Sequence, residues 1–262
     1  MKKIKVTYSH GNTIVKLSLA DGKGNILDHM MIEDLQTALN EFRDQPQLKL
    51  IILAGEGKNF SFGASVEEHK KEYAAAMLNG FHALFYTMKD IAIPTLATIS
   101  GQCLGGGMEL ALMCNILFAD KTARLGQPEI VLGVFPPPAS VILPEKIGLA
   151  RAEELLLTGR ILSADEARSI GLLNEVFDDS AMMETRTEKW IQEYILPKSS
   201  SSLRFAVRAG RAKFNHVLSN FLPQLESLYL RHLMETHDAN EGIHAFLEKR
   251  KPSWENDKIL SK

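Results

Sequence analysis

Two short stretches near the start of the chain alternate apolar and polar residues. Residues 4–8 and 13–19 are rich in β-branched side chains and flank the turn-forming run His10-Gly11-Asn12, so they predict two strands joined by a hairpin. Residues 30–43 carry apolar side chains at helical spacing and follow Asp28, a favourable N-terminal cap. The pattern therefore predicts a strand pair followed by a helix.

The next segments repeat this alternation. Residues 48–54 and 95–99 are almost entirely apolar, which is typical of strands buried on both faces of a sheet. Residues 67–90 and 108–118 carry helical patterns between and after these strands. This order of strand, loop and helix predicts an α/β fold.

Helical patterns dominate the last part of the chain. The predicted helices are 151–158, 163–170, 180–194, 202–216, 220–236 and 239–249. Pro197 and the serine run at 199–202 interrupt them and predict a hinge. We therefore expect a core at residues 1–195 and a C-terminal helical segment at residues 196–262.

Composition narrows the class of protein. The 262 residues include 30 Lys and Arg against 32 Asp and Glu, a net charge of -2, so there is no bulk attraction to nucleic acid or an anionic membrane. No apolar run reaches the roughly 18 residues of a membrane span. Only Cys103 and Cys114 are present, too few for a disulfide framework. The eight histidines lack metal-ligand spacing. We expect a cytoplasmic, soluble protein without a bound metal.

Small residues stand between a predicted strand and a predicted helix at two places. Residues 61–65 read Ser-Phe-Gly-Ala-Ser, and residues 105–107 are three glycines. Backbone N–H groups at a helix start are unpaired, and the helix dipole there favours negative charge. Each turn, taken alone, is equally compatible with an ordinary tight connection. Neither turn has the spacing of a dinucleotide-binding or phosphate-binding loop.

One glutamate follows the glycine turn closely in the sequence, and a second lies in the next loop. Glu109 lies in the first turn of an otherwise apolar helical segment, and Glu129 follows 20 residues later in Gly126-Gln127-Pro128-Glu129. Most glutamates are solvated surface charges. Two carboxyl groups in one apolar pocket would instead divide the roles of acid and base, because desolvation and repulsion raise at least one pKa.

In order and spacing, these segments resemble the crotonase, or enoyl-CoA hydratase/isomerase, superfamily over nearly the whole chain. The segments that carry the resemblance are Gly63-Ala64, Gly105-Gly106-Gly107-Met108-Glu109, Gly126-Gln127-Pro128-Glu129, Leu157-Thr158-Gly159-Arg160, Gly171-Leu172 and the terminal Glu241-Gly242 with Ala245–Arg250. The resemblance implies a spiral of ββα units followed by helices that assemble trimers, often paired into hexamers.

The resemblance also implies roles for individual residues. Ala64 and Gly106 match the N–H groups that bind the thioester carbonyl of an acyl-CoA substrate, the oxyanion hole. Glu109 and Glu129 match the two acid and base carboxylates of the hydratases. The family's contacts to coenzyme A fall on Ser65, Val66, Glu67, Lys23, Phe246 and Lys249. No cofactor other than the coenzyme A of the substrate is implied.

The acyl pocket is where this chain departs from straight-chain hydratases. They carry a glycine-rich segment where this chain has Phe135-Pro136-Pro137-Pro138-Ala139-Ser140, so we expect a changed acyl group near Phe135, Pro137 and Ala139. Together with residues 60–69 and 101–107, this run resembles the branch that hydrates cyclohexa-1,5-diene-1-carbonyl-CoA during anaerobic degradation of benzoyl-CoA. The alternatives are a straight-chain enoyl-CoA hydratase, a dienoyl-CoA isomerase, and a non-catalytic homologue that binds RNA or acts as a scaffold.

Overall fold

A computed structural model describes residues 1–22 and 24–256. Its described residues form nine strands and ten α-helices. The strands are β1 Ile4–Ser9, β2 Ile14–Leu19, β3 Leu50–Gly55, β4 Thr95–Ile99, β5 Gln102–Leu104, β6 Ile116–Asp120, β7 Arg124–Gly126, β8 Ile161–Ser163 and β9 Glu175–Phe177. The helices are α1 His29–Arg43, α2 Lys71–Ile91, α3 Gly106–Leu112, α4 Pro137–Ile147, α5 Leu149–Thr158, α6 Ala164–Ser169, α7 Ser180–Trp190, α8 Ser200–Gly210, α9 Ala212–Arg231 and α10 His237–Leu247.

The main sheet has six strands in the order β1-β2-β3-β4-β6-β9. Strand β1 is antiparallel to β2, and every later pair in this sheet is parallel. The parallel strands β3 and β4 are buried along nearly their whole length, because helices cover the sheet. A smaller sheet pairs β5, β7 and β8. The mixed α/β fold predicted from the sequence is confirmed.

The first elements form where the hydrophobic pattern places them. The predicted strands at 4–8 and 13–19 correspond to β1 and β2, and the predicted cap Asp28 accepts a hydrogen bond from the Met31 N–H at 3.0 Å. Helix α1 buries the apolar face that its spacing indicated. These predictions are confirmed because each element's pattern matches the period of the structure it forms.

The predicted helix at 108–118 is wrong in its second half. Helix α3 ends at Leu112, and Ile116 pairs with Leu96 of β4. The intervening Asn115 accepts a hydrogen bond on its side-chain oxygen from the Thr95 N–H at 2.9 Å, which anchors the start of the new strand. An apolar run of this length suits a helix or a buried strand, and pairing with β4 decides for the strand.

Helix α4 was not predicted, because its start is the proline run at residues 136–138. Pro137 is the first helical residue, a position that a proline favours because its φ angle suits the helix and its missing N–H would have no partner there. These prolines begin a helix that packs on α3, α5 and α9.

The C-terminal helices pack back onto the core. The sequence predicted one helix over 202–216 and another over 220–236. Helix α9 instead runs unbroken from Ala212 to Arg231, and the break before it falls at Arg211. The Arg211 guanidinium donates to the Met113 carbonyl at 2.7 Å. Helix α9 also reaches α2, where the buried His82 ring lies 2.9 Å from the Glu226 carboxylate. No helix in the described residues is long and apolar enough to cross a membrane.

Candidate active site

A cavity of about 750 Å³ opens between the first turn of α3 and the C-terminal helices α9 and α10, a size typical of ligand pockets. Its walls come from the turn at residues 62–67, the turn at 104–106, the loop at 128–132, the start of α4 and the last part of the chain. Most of the lining side chains are apolar, and Glu109 and Glu129 both contribute to it. The fold thus brings together the two small-residue turns, the two glutamates and the proline run that the sequence pattern singled out.

The turn at Ala64 leaves one N–H group unused. Leu27 pairs with this turn by donating to the Gly63 carbonyl at 2.9 Å and accepting from the Ser65 N–H at 3.3 Å. In such a parallel pairing the intervening residue points its own N–H to the opposite side. The Ala64 N–H therefore faces away from Leu27 and has no acceptor among the described residues.

Gly106 presents a second N–H group next to the first. It is the first residue of α3, so its N–H has no partner within the helix, and none of the described backbone groups accepts it. A Cβ atom placed on Gly106 would lie 3.2 Å from the Ala64 nitrogen. Two free donors this close can bind one oxygen atom together. Their assignment to a thioester oxygen stays a prediction.

Two glycines make this approach possible. Gly63 has a φ of +107°, and a Cβ there would lie 2.9 Å from the Leu104 carbonyl oxygen. Gly105 has a φ of +49°, and its Cβ would lie 2.5 Å from Oε1 of Glu129. Both positions combine a positive φ with a close neighbour, so only glycine fits. They hold the two turns and the Glu129 carboxyl group in contact.

Glu109 is a buried carboxyl group with a fixed orientation. Only 4% of the residue is exposed, and its Oε1 accepts a hydrogen bond from the Ala139 N–H at 2.9 Å. That N–H belongs to the first turn of α4 and would otherwise be unpaired. Burial and the nearby Glu129 charge raise the pKa of Glu109, and the Ala139 hydrogen bond opposes this effect only in part.

Glu129 lies in the short 3₁₀ turn Pro128–Leu132 and faces the same cavity. Burial raises its pKa as well. The Gln127 amide is fully buried beside it and, with its nitrogen turned to the carboxylate, donates to both Glu129 oxygens at 3.1 and 3.2 Å. Because the two glutamates share one poorly solvated space, the ionised form of one disfavours ionisation of the other, so the pair favours a state with one proton over a state with none. It thereby offers one acid and one base.

The structure places most of the other predicted site residues around this cavity. The lining includes Ser65, Val66, Glu67, Phe135, Pro137 and Phe246. Ala139 lies behind the wall, where it is fully buried and holds Glu109, so its placement in the acyl pocket is corrected. Lys249 follows the end of α10 and is not part of the lining. Lys23 lies outside the described residues.

Three further residues of the site, Gln127, His69 and Tyr229, were not predicted from the sequence. The Gln127 amide binds Glu129, as described above. His69 lines the cavity, and its Nδ1 lies 2.8 Å from the Ser65 carbonyl. Tyr229 reaches the cavity from α9. The position of His69, close in sequence to the turn at Ala64, could have indicated its place in the site. Nothing in the local sequence pattern indicated Tyr229. The site therefore extends beyond residues 1–195, because α9 and α10 fold over the cavity.

This arrangement defines a class of protein. The family model for enoyl-CoA hydratase/isomerase matches residues 9–257, and the chain belongs to this family, whose members act on acyl-CoA thioesters. The predicted crotonase fold is confirmed, and so is the hydratase (hydro-lyase) class that the resemblance implied. A cyclohexa-1,5-dienecarbonyl-CoA hydratase of Thauera aromatica is 45% identical over 253 residues, 97% of either chain.

More distant relatives carry the broader name. A probable enoyl-CoA hydratase of Mycobacterium bovis is 37% identical over 237 residues, 88% of this chain and 89% of the relative. The crystal structure of an enoyl-CoA hydratase from Bacillus anthracis has a TM-score of 0.76 at 29% identity and covers 97% of this chain and 100% of its own. An enoyl-CoA hydratase structure from Mycobacterium avium has a TM-score of 0.85 at 23% identity and covers 97% of this chain and 99% of its own. At this identity the similarity supports the fold alone.

Proposed function

We propose that this protein adds water to a cyclic conjugated dienoyl-CoA, converting cyclohexa-1,5-diene-1-carbonyl-CoA to 6-hydroxycyclohex-1-ene-1-carbonyl-CoA in anaerobic benzoyl-CoA degradation. The observation that carries the proposal is a pair of carboxyl groups, the buried one of Glu109 and the partly buried one of Glu129, in one cavity with the N–H groups of Ala64 and Gly106, for which the described residues supply no acceptor. The 45% identical relative from Thauera aromatica supports the choice of substrate.

The N–H pair supplies the electrostatic part of the mechanism. With the thioester carbonyl between Ala64 and Gly106, negative charge that grows on the carbonyl oxygen during water addition is stabilised by both donors. Removing one such donor typically costs about 10²–10³ in rate. The N-terminus of helix α3, which carries the partial positive charge of the helix dipole, adds to this stabilisation.

The carboxyl pair moves the protons. One carboxylate takes a proton from a water molecule while the oxygen of that water forms a bond to the β-carbon of the diene. The electron pair shifts through the conjugated system, and the protonated carboxyl group delivers a proton at the far end of the remaining alkene. One water is consumed, no group is oxidised or reduced, and the ring keeps one double bond conjugated with the thioester.

The apolar wall supports a flat ring as the acyl group. Phe135 packs edge-on against Tyr229, with ring centres 5.5 Å apart. Pro137 and Pro138 hold the start of α4 beside it. Aromatic rings and prolines have few rotatable bonds, so the wall presents a rigid surface that loses little entropy when a planar substrate binds.

The test is a panel of cyclic and linear unsaturated CoA esters, read by mass spectrometry as the gain of one water. We expect the cyclic diene to be hydrated with a higher kcat/KM than crotonyl-CoA. Glu109→Gln and Glu129→Gln should each abolish hydration while CoA-ester binding persists, and the exposed-site control Glu184→Gln should keep full activity. Preference for the linear ester would make the protein a straight-chain hydratase. Near-normal turnover in either active-site variant would refute the two-carboxylate scheme.

Three expectations complete the proposal. The protein works in the cytoplasm, as a homotrimer or as a homohexamer made of two trimers. It needs no cofactor apart from the coenzyme A of its substrate. Size-exclusion chromatography with light scattering tests the assembly, and turnover by dialysed protein tests the independence from added cofactors.

A further inference from the structure

Tyr229 carries a polar group that the described residues leave without a partner. The residue is 1% exposed, and its hydroxyl oxygen is shielded from solvent and makes no hydrogen bond among residues 1–22 and 24–256. Folded proteins pair nearly all buried polar groups, because an unpaired one loses its bonds to water without replacement. A buried tyrosine hydroxyl in this state needs an explanation.

The helix that carries Tyr229 fixes its direction. Leu218, Leu222 and Tyr229 are the buried residues of α9, and their spacing places them on one helical face together with Glu226. Glu226 is bound to His82 of α2 at 2.9 Å, one turn before Tyr229. Tyr229 lines the cavity, and its ring packs against Phe135.

The electrostatic surroundings define what the hydroxyl group can do. Burial and the charges of Glu129 and Glu109 raise the pKa of Tyr229 far above its ordinary value, so the group keeps its proton and acts as a donor. Both carboxyl groups are near enough to influence it, although neither accepts its hydrogen bond. The described residues thus supply no acceptor for the hydroxyl group of Tyr229, a residue that lines the cavity.

We propose that the Tyr229 hydroxyl is a further catalytic group, which donates a hydrogen bond to the oxygen atom that becomes attached to the substrate. This inference rests on the proposed function. An unsaturated acyl group is hydrocarbon apart from its thioester carbonyl, which the N–H pair of Ala64 and Gly106 would bind. The oxygen of the incoming water, later the product hydroxyl, is then the one polar atom of the reaction that lies between the carboxyl groups.

The role is compatible with the chemistry of the addition. Water offers one lone pair to the β-carbon and one hydrogen to the carboxylate base, which leaves its second lone pair free to accept from Tyr229. The tyrosine keeps its own proton throughout, so no charge is left on it. A donor fixed on a helix and packed against Phe135 limits the orientations of the water and holds it for attack.

The first experiment compares the parent with Tyr229→Phe, which removes only the oxygen atom. We expect kcat to fall about 3- to 10-fold, the usual effect of one neutral hydrogen bond, with KM nearly unchanged. Thermal unfolding should occur at the same or a higher temperature, because an unpaired buried group has been removed. The control is Tyr194→Phe, a tyrosine that is 51% exposed, for which kcat should not change. A kcat within twofold of the parent in Tyr229→Phe would overturn the inference.

The second experiment needs no turnover, so it separates this inference from the proposed function. Calorimetry compares binding of the 6-hydroxycyclohex-1-ene-1-carbonyl-CoA product with that of cyclohex-1-ene-1-carbonyl-CoA, which lacks the hydroxyl group. The parent should bind the hydroxy ester about 3- to 10-fold more tightly, and Tyr229→Phe should lose this preference. A preference that persists in the variant, or is absent from the parent, overturns the role of Tyr229. Failure of the parent to hydrate any ester instead refutes the proposed function.

Discussion

Glu129→Gln should stabilise the folded protein while it removes activity. Burial raises the pKa of Glu129 from an ordinary 4.5 to about 8. Between these values the folded protein retains a proton that the unfolded chain has released, so stability falls as the pH rises through this window. A glutamine at 129 cannot ionise and escapes this loss, and it still offers Gln127 an acceptor.

The size of the effect follows from the same pKa. At pH 7 the solution lies about 2.5 pH units above the ordinary value, and each unit corresponds to about 1.4 kcal/mol. The free energy of unfolding of Glu129→Gln should therefore exceed that of the parent by up to about 3 kcal/mol at pH 7 and should match it near pH 4.5. For a chain of this size the full difference would correspond to roughly 6–12 °C in Tm.

Thermal unfolding at pH 4.5, 5.5 and 7, followed by circular dichroism at one protein concentration, measures this effect. Glu184→Gln is the matched control, because Glu184 is an exposed residue of α7, and its Tm should follow the parent at each pH. A difference between Glu129→Gln and the parent that is independent of pH would refute the reasoning. So would a variant less stable than the parent at pH 7.

Two further substitutions probe the support around Glu129. Gly105→Ala places a Cβ 2.5 Å from the Glu129 Oε1 at a φ of +49°. We expect the rate to fall roughly 10- to 100-fold and the free energy of unfolding to fall by about 1 kcal/mol or more. The control Gly210→Ala, which has open space at its Cβ, should show neither loss. Gln127→Leu removes two donors to the carboxylate and should raise the pKa of Glu129 further, which shifts the pH profile of kcat/KM upward by about one unit. An unchanged profile would contradict the role of Gln127.

Local pattern sufficed for much of the fold. Strands β1 and β2 and helix α1 follow from periodicity and from the Asp28 cap, since each is specified by neighbours along the chain. The same information failed at residues 116–118, where an apolar run was compatible with either a helix or a strand. Pairing with β4, a strand about 20 residues away, made the choice.

The sequence by itself determined the family and the two carboxyl groups, because its glycines, Glu109 and Glu129 form a motif of recognisable spacing. Only the tertiary structure decided how these groups are held and what else shares their cavity. The Ala139 N–H reaches Glu109 across 30 residues, and Tyr229 comes from a helix that the sequence indicated only for assembly. Such contacts depend on the packing of α4 and α9 against the core, and packing between distant segments leaves no periodic trace along the chain.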